Sequence, residues 1–252
     1  MDLGLNGLKV ILTGGSRGIG RRALEIFAEE GCDVAFFSRN AEQVEEARAA
    51  LARHGGKVVA SAFDLNNADG YQDWLRSAAD ELGGCDIFIP GASASGSQVT
   101  GDWEKCFHFD LMGAVKGCEA MEPYLEKSDH ASIVFMGSTA GVETFLVPQA
   151  YNTIKGSLLI YAKQLGQAWG PKGIRINTVS PGPIEFPGGN WEGLKAGMPD
   201  LYDAQIGQFA LGRIGNPEDV AKTVVFIASP ASRYTTGTNV IVDGGYTKRV
   251  QF

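Results

Sequence analysis

Residues 13–20 read TGGSRGIG, and the segments on either side of them decide the fold. KVILT, residues 9–13, leads in as a short apolar run. RRALEIFAEEG, residues 21–31, follows it, with Ile19, Ala23, Ile26 and Phe27 recurring at helical spacing before Gly31 ends the pattern. The expected unit is therefore strand, glycine turn, helix. Gly14, Gly18 and Gly20 carry no side chain to keep a bound group at a distance. The free amides and dipole at the start of the helix favour negative charge, so a pyrophosphate fits the turn. Gly14, Ser16, Arg17, Gly18, Ile19 and Gly20 are the candidate contacts. The spacing is GxxxGxG rather than GxGxxG, and it lacks the GK[ST] ending of nucleotide-hydrolase loops.

The same cycle continues along the chain. DVAFF, KVVASAF, CDIFI, ASIVFM, RINTV and NVIVD read as further strands, which makes seven with KVILT. Between them lie helical patterns over AEQVEEARAALARHG, over YQDWLRSAADEL, from about 102 to 126, from about 150 to 169, and after Pro217. Short apolar strands alternating with helices predict an α/β fold: a single-domain, doubly wound (Rossmann) seven-stranded parallel sheet with helices on both faces. No linker or internal repeat divides residues 1–252, so one domain is expected to hold both the cofactor and the chemistry.

Composition narrows the function. With 252 residues, 44% of them hydrophobic, the chain can bury a sizeable core. A net charge of −7 and the lack of a basic stripe argue against a nucleic-acid partner. The start MDLGLNGLKV has neither a charged lead nor a long apolar run, so a cytoplasmic protein with no membrane segment is expected. Cys32, Cys85, Cys106 and Cys118 are scattered without CxxC spacing and read as reduced packing residues. His54, His108 and His130 form no ligand pattern, and no metal site is expected.

Two further patterns carry chemistry. At the end of the second strand, FFSRN puts Ser38 and Arg39 where a carboxylate would select the unphosphorylated ribose, and Arg17 can converge on the same point. Guanidiniums there suit a 2′-phosphate, so NADP(H) is preferred over NAD(H). In QAYNTIKGS, residues 149–157, Tyr151 and Lys155 lie one helical turn apart on the same face. A cation beside the phenol makes it a better acid.

Taken together, TGGSRGIG, Ser138, YNTIK, PGPI and VIVDGG resemble the short-chain dehydrogenase/reductase family along essentially the whole chain. The likeness is greatest to the 3-oxoacyl carrier-protein reductase-like branch. The resemblance implies that Tyr151 is the acid/base, that Ser138 holds the substrate oxygen, and that Lys155 contacts the nicotinamide ribose and tunes the phenol. It also implies that Pro181, Gly182 and Ile184 line the nicotinamide side and that Gly91 and Ala92 pack on the adenosine side. Asp64, with Leu65 beside it, either touches adenine or caps a helix. A homotetramer built on the helices near 102–126 and 150–169 is implied by resemblance alone.

Three positions depart from the family pattern. PGAS, residues 90–93, replaces NNAG, and Ser93 and Ser95 are candidates to restore the lost hydrogen bonds. Asp110 stands in place of the helical asparagine of a proton relay. It would oppose a tyrosinate, pair with Lys155, or be held protonated. Phe186 replaces a threonine near the nicotinamide amide. The segment from about 185 to 211 has no clear period at its start and reads as a substrate loop, with Phe186, Trp191, Met198, Leu201 and Tyr202 forming either a pocket wall or core anchors. Phe145 and Ser138 join Phe186 and Trp191 as the candidate substrate contacts. The expected partner is a small, moderately apolar ketone or secondary alcohol. The alternatives are an NAD-linked alcohol dehydrogenase and a cofactor-binding sensor that has lost turnover. The tail YTKRVQF either adds a subunit contact or frays.

Overall fold

The computed structural model describes residues 1–94, 101–144 and 148–250. Seven strands form one sheet: β1 (Lys9–Thr13), β2 (Asp33–Ser38), β3 (Val58–Ala62), β4 (Ile87–Ile89), β5 (Ser132–Met136), β6 (Arg175–Pro181) and β7 (Asn239–Val242). Their order is β3-β2-β1-β4-β5-β6-β7, and every pairing is parallel. The fold class read from the sequence is thus the observed one.

The sheet is covered on both faces because successive side chains of each strand point opposite ways. Val10 and Leu12 of β1 face a layer built from α1 (Gly18–Glu29), α2 (Ala41–Leu51) and α9 (Pro217–Ala228), with Leu24, Phe27 and Val224 among its buried residues. Ile11, between them, faces α3 (Ala68–Leu82), α5 (Gly113–Leu125) and α6 (Ala150–Trp169), where Leu75, Met121 and Leu158 are buried. A strand buried on both sides must read as a continuous apolar run, which is why KVILT was legible. The four cysteines are free and buried, and burial pushes the Cys32 thiol up to about 12.

The winding reverses at β1, which pairs with β2 on one side and β4 on the other. Such a reversal leaves a crevice outside the carboxyl ends of the two central strands. The glycine turn after β1 and the PGAS loop after β4 both lie at this crevice. Gly14 has φ of +82°, and a Cβ there would sit 3.0 Å from Ala92 Cα, so only glycine lets the two loops approach. Thr13 completes the junction by accepting the Ala92 N–H at 3.0 Å through its hydroxyl.

Two regions differ from the sequence expectation. The helix expected from 102 to 126 is divided into α4 (Trp103–Cys106), a π-helical stretch (Phe107–Met112) and α5. A single widened turn leaves the apolar pattern readable as α-helix, so the sequence did not reveal it. The segment near 185–211, expected as an irregular loop, contains α7 (Asn190–Gly197) and α8 (Pro199–Ile206). α7 buries none of its residues, so it had no apolar stripe to show. The tail is docked as far as Arg249: Glu143 accepts the N–H groups of Lys248 at 3.1 Å and Arg249 at 3.3 Å.

Arg175, at the start of β6, closes the far end of the sheet. Its guanidinium donates to the carbonyls of Ile227, Ala228, Ser229 and Thr235 at 2.8 to 3.2 Å, satisfying the C-terminal carbonyls of α9. Arg175→Met would leave these buried acceptors unpaired, and we expect a loss of roughly 2–4 kcal/mol in urea unfolding. A midpoint equal to that of the unaltered protein would contradict this role.

Candidate active site

A cleft of about 510 Å³ opens along the crevice, and most of the residues singled out in the sequence line it, whereas Met198, Leu201 and Tyr202 do not. Asp110 lies behind the wall, fully buried, and Phe145 falls outside the described residues, as does Ser95. Gly14, Ser16, Arg17, Gly18, Ile19 and Gly20 line one stretch of the cleft; Ser38, Arg39, Asp64 and Leu65 another. Gly91, Ala92, Pro181, Gly182 and Ile184 line its middle. Ser138, Tyr151, Lys155, Phe186 and Trp191 complete it.

The glycine turn has the geometry of a phosphate cradle. Gly18 has φ of +59° and starts α1, where the first amides of the helix have no intrahelical acceptor. A Cβ on Gly18 would lie 2.9 Å from the Phe186 ring, so the space over the turn is narrow and bounded by an aromatic side chain. Arg17 Nη1 donates to Gly188 O at 2.9 Å, which ties the turn to the segment carrying Phe186. Arg17 also lines the cleft together with Ser38 and Arg39.

At the end of β2 the Ser16 hydroxyl donates to Ser38 Oγ at 2.8 Å. Arg39 is exposed on the cleft and makes no hydrogen bond or ion pair with the described residues. Asp64 accepts from the backbone N–H of Asn66 at 3.0 Å and from its side chain at 2.9 Å. This is a local Asx turn, and it leaves the start of α3 to Asn67. The Asn66 backbone bond above all, with a lesser contribution from Arg39, holds the Asp64 carboxyl below its usual value.

At the other end, α6 presents Tyr151 and Lys155 on one face, and the Lys155 ammonium lies 5.5 Å from the Tyr151 ring centroid. Lys155 Nζ donates to Met136 O at 2.8 Å and pairs with Asp110 Oδ1 at 3.0 Å. Of the three fates open to Asp110, the structure selects pairing. Burial works against the ammonium, but its neighbours, Asp110 foremost, outweigh it, and Lys155 is held above its ordinary value. Ser138 Oγ accepts the Ala140 N–H at 3.1 Å, which leaves its own O–H available to donate into the cleft.

Sequence reasoning missed several lining residues. Phe109, Gln149, Asn152, Asn190 and Leu194 all border the cleft near Tyr151 and Trp191. Gln149 and Asn152 flank the tyrosine in the chain, a signal that was available. Phe109 depends on the π-helical turn and was not. Tyr202 is buried and donates its hydroxyl to Glu185, whose other oxygen holds Lys195 at 2.9 Å. Tyr202 first, and then Lys195, keeps the Glu185 carboxyl below its usual value.

A family profile described as Enoyl-(Acyl carrier protein) reductase matches residues 14–247. Isoepoxydon dehydrogenase from Aspergillus clavatus is 38% identical, covering 98% of each chain. The 3-oxoacyl-[acyl-carrier-protein] reductase of Chlamydia pneumoniae is 29% identical over 98% of this chain and all of its own. L-sorbose reductase from Gluconobacter frateurii, solved with NADPH and L-sorbose, superposes with a TM-score of 0.89 at 26% identity, covering 99% of this chain and 100% of its own. Glycine turn, parallel sheet and the Ser138, Tyr151 and Lys155 cleft accord with these likenesses, and the protein is an oxidoreductase of alcohols or ketones that uses a nicotinamide cofactor. The chain belongs to the short-chain dehydrogenase/reductase family, on its 3-oxoacyl carrier-protein reductase-like branch.

Proposed function

We propose that the protein interconverts a moderately apolar ketone and its secondary alcohol with NADP(H), using Tyr151 as general acid/base. The observation that carries this reading is the meeting of Ser138, Tyr151 and Lys155 on one cleft, with the ammonium fixed beside the phenol ring. When bound, the cofactor supplies or accepts the hydride. In reduction the Tyr151 O–H gives its proton to the substrate oxygen, and in oxidation the tyrosinate takes it back. The Ser138 O–H donates to the same oxygen and stabilises the charge that develops there. The Lys155 ammonium stabilises the negative charge left on the phenol oxygen.

For the cofactor, Gly14, Ser16, Gly18, Ile19 and Gly20 would hold the pyrophosphate, Asp64, Leu65, Gly91 and Ala92 the adenosine, and Pro181, Gly182 and Ile184 the nicotinamide side. The absence of a carboxylate at the end of β2 and the exposed Arg39 guanidinium favour a 2′-phosphate. The NADPH in the L-sorbose reductase structure agrees with that preference. Arg17 contributes its charge at the turn while tethered to Gly188 O. An NAD-linked enzyme is the second reading, since the distinction rests on Arg17, Ser38 and Arg39 alone.

Phe109, Phe186, Trp191 and Leu194 give the substrate an apolar wall, and Gln149, Asn152 and Asn190 add uncharged polar groups. Lys195, the cation of the substrate segment, is paired with Glu185, so no anionic anchor is required of the substrate. The substrates in the names of isoepoxydon dehydrogenase and L-sorbose reductase are compatible with a small oxygenated carbonyl compound. For assembly we propose a homotetramer. Trp103, Phe107 and Ile160, exposed by 58%, 42% and 64%, lie on the two helical regions that would pair between subunits.

Three outcomes test this reading. Tyr151→Phe should lower ketone turnover with NADPH by about a thousandfold while cofactor affinity, followed by tryptophan fluorescence, stays within about twofold. Turnover equal to that of the unaltered protein would remove the acid/base assignment. The unaltered protein should prefer NADPH over NADH in kcat/KM by at least about tenfold, and Arg39→Asp should reverse the order by adding repulsion and losing the guanidinium. Light scattering should give four times 26.8 kDa, and Ile160→Asp should give a smaller species.

A further inference from the structure

Asp110 occupies the π-helical stretch with its side chain wholly buried, and among the described residues the groups that bond its carboxylate are donors. Lys155 Nζ lies 3.0 Å from Oδ1, the Ser93 hydroxyl donates to the same oxygen, and the Ala94 N–H donates to Oδ2 at 3.0 Å. Ser93 and Ala94 follow β4, whereas Lys155 projects from α6. The carboxylate therefore joins three separate parts of the chain at one point.

An asparagine could not satisfy this arrangement. It offers one acceptor oxygen, and its NH2 would have to face either the ammonium or the Ala94 N–H, donor against donor. A protonated acid could turn its hydrogen only toward the Ser93 hydroxyl, and it would then leave the buried Lys155 ammonium without a counter-charge. We propose that Asp110 is a positioning residue, a fixed counter-ion that holds Lys155 as an ammonium and pins the loop after β4 to the Tyr151 helix, in place of a proton-relaying amide. Its catalytic consequence rests on the acid/base reading above; the electrostatic claim stands without it.

The groups that face the Lys155 ammonium are Asp110 from the π-helical stretch, Tyr151 from α6 and Cys106 from α4, together with the Met136 carbonyl at the end of β5. Burial opposes the charge on Lys155, and Asp110 is foremost among the groups that favour it. In the unaltered protein the folded state binds this proton more tightly than the unfolded state. Its stabilisation is complete below the ordinary lysine range and is lost as pH rises through the raised value. In Asp110→Asn the main counter-charge is gone and burial governs. The folded state then binds the proton less tightly, and stability grows as pH rises.

The experiment is urea unfolding of Asp110→Asn and the unaltered protein, followed by tryptophan fluorescence at fixed protein concentration from pH 7 to 10. At pH 7 the variant's unfolding constant should be at least about a hundredfold larger, since breaking one side of a buried pair strands the other charge. The ratio of the two constants should then fall as pH rises, by up to about tenfold per pH unit. A ratio that is flat across this range, or a variant as stable as the unaltered protein at pH 7, overturns the proposal. If Asp110→Asn does not fold, Asp110→Asn/Lys155→Met, which carries neither charge, should recover folded protein with no such pH course; failure to recover overturns the proposal equally. Because turnover is not measured, these results judge the counter-ion role whatever a ketone assay returns.

Discussion

An ammonium group enclosed by protein is the constraint on which this site depends. Removing a charge from water is costly unless partners replace the lost solvation, and the Lys155 side chain is only 5% exposed. Its partners come from separate places: a carboxylate from the π-helical stretch and a carbonyl from the end of β5. Satisfying that one charge therefore fixes α6 against the end of β5 and against the stretch that links α4 to α5. Tyr151, one turn earlier on α6, is carried to its position by the same bonds.

The parallel sheet explains why these partners are close at all. Every strand runs in the same direction, so the loops after β1, β4, β5 and β6 all emerge at one edge of the sheet. Chemistry-bearing residues far apart in the chain, such as Gly18, Ser138 and Ile184, then share one cleft. This much was legible in the sequence because it depends on patterns the sequence displays: apolar runs of four to six residues, glycines at a strand–helix junction, and a helical spacing of four. Ser38 and Arg39 were readable for the same reason, since they directly follow a strand whose end was clear.

What was not legible depends on contacts between segments rather than on any one segment. Asp110 could be recognised as a departure, but its fate among repulsion, pairing and protonation turned on the donors around it. Ser93 reaches it from the loop in which PGAS replaces the asparagines of the family pattern. The π-helical turn that aims Phe109 and Asp110 leaves no mark in apolar periodicity, and α7 leaves little because none of its residues is fully buried. Arg175 opens the apolar run RINTV with nothing in that run to show that it closes the end of α9 through the carbonyls of Ile227, Ala228 and Ser229.

The segment after β6 shows how cradle and pocket become one unit. Phe186 packs over Gly18, and Arg17 reaches out of the glycine turn to Gly188 O, so the wall of the substrate end is bonded to the floor of the phosphate end. Glu185, just before Phe186, accepts from Tyr202 of α8 and from Lys195 of α7, which extends the connection through both short helices. Phe186 thus borders the glycine turn and the cleft at once. The threonine expected at position 186 would have supplied one hydroxyl; the phenylalanine instead links the two ends of the cleft by packing. In this chain the glycine turn and the segment after β6 are consequently held together by the same few contacts at Arg17, Gly18 and Phe186.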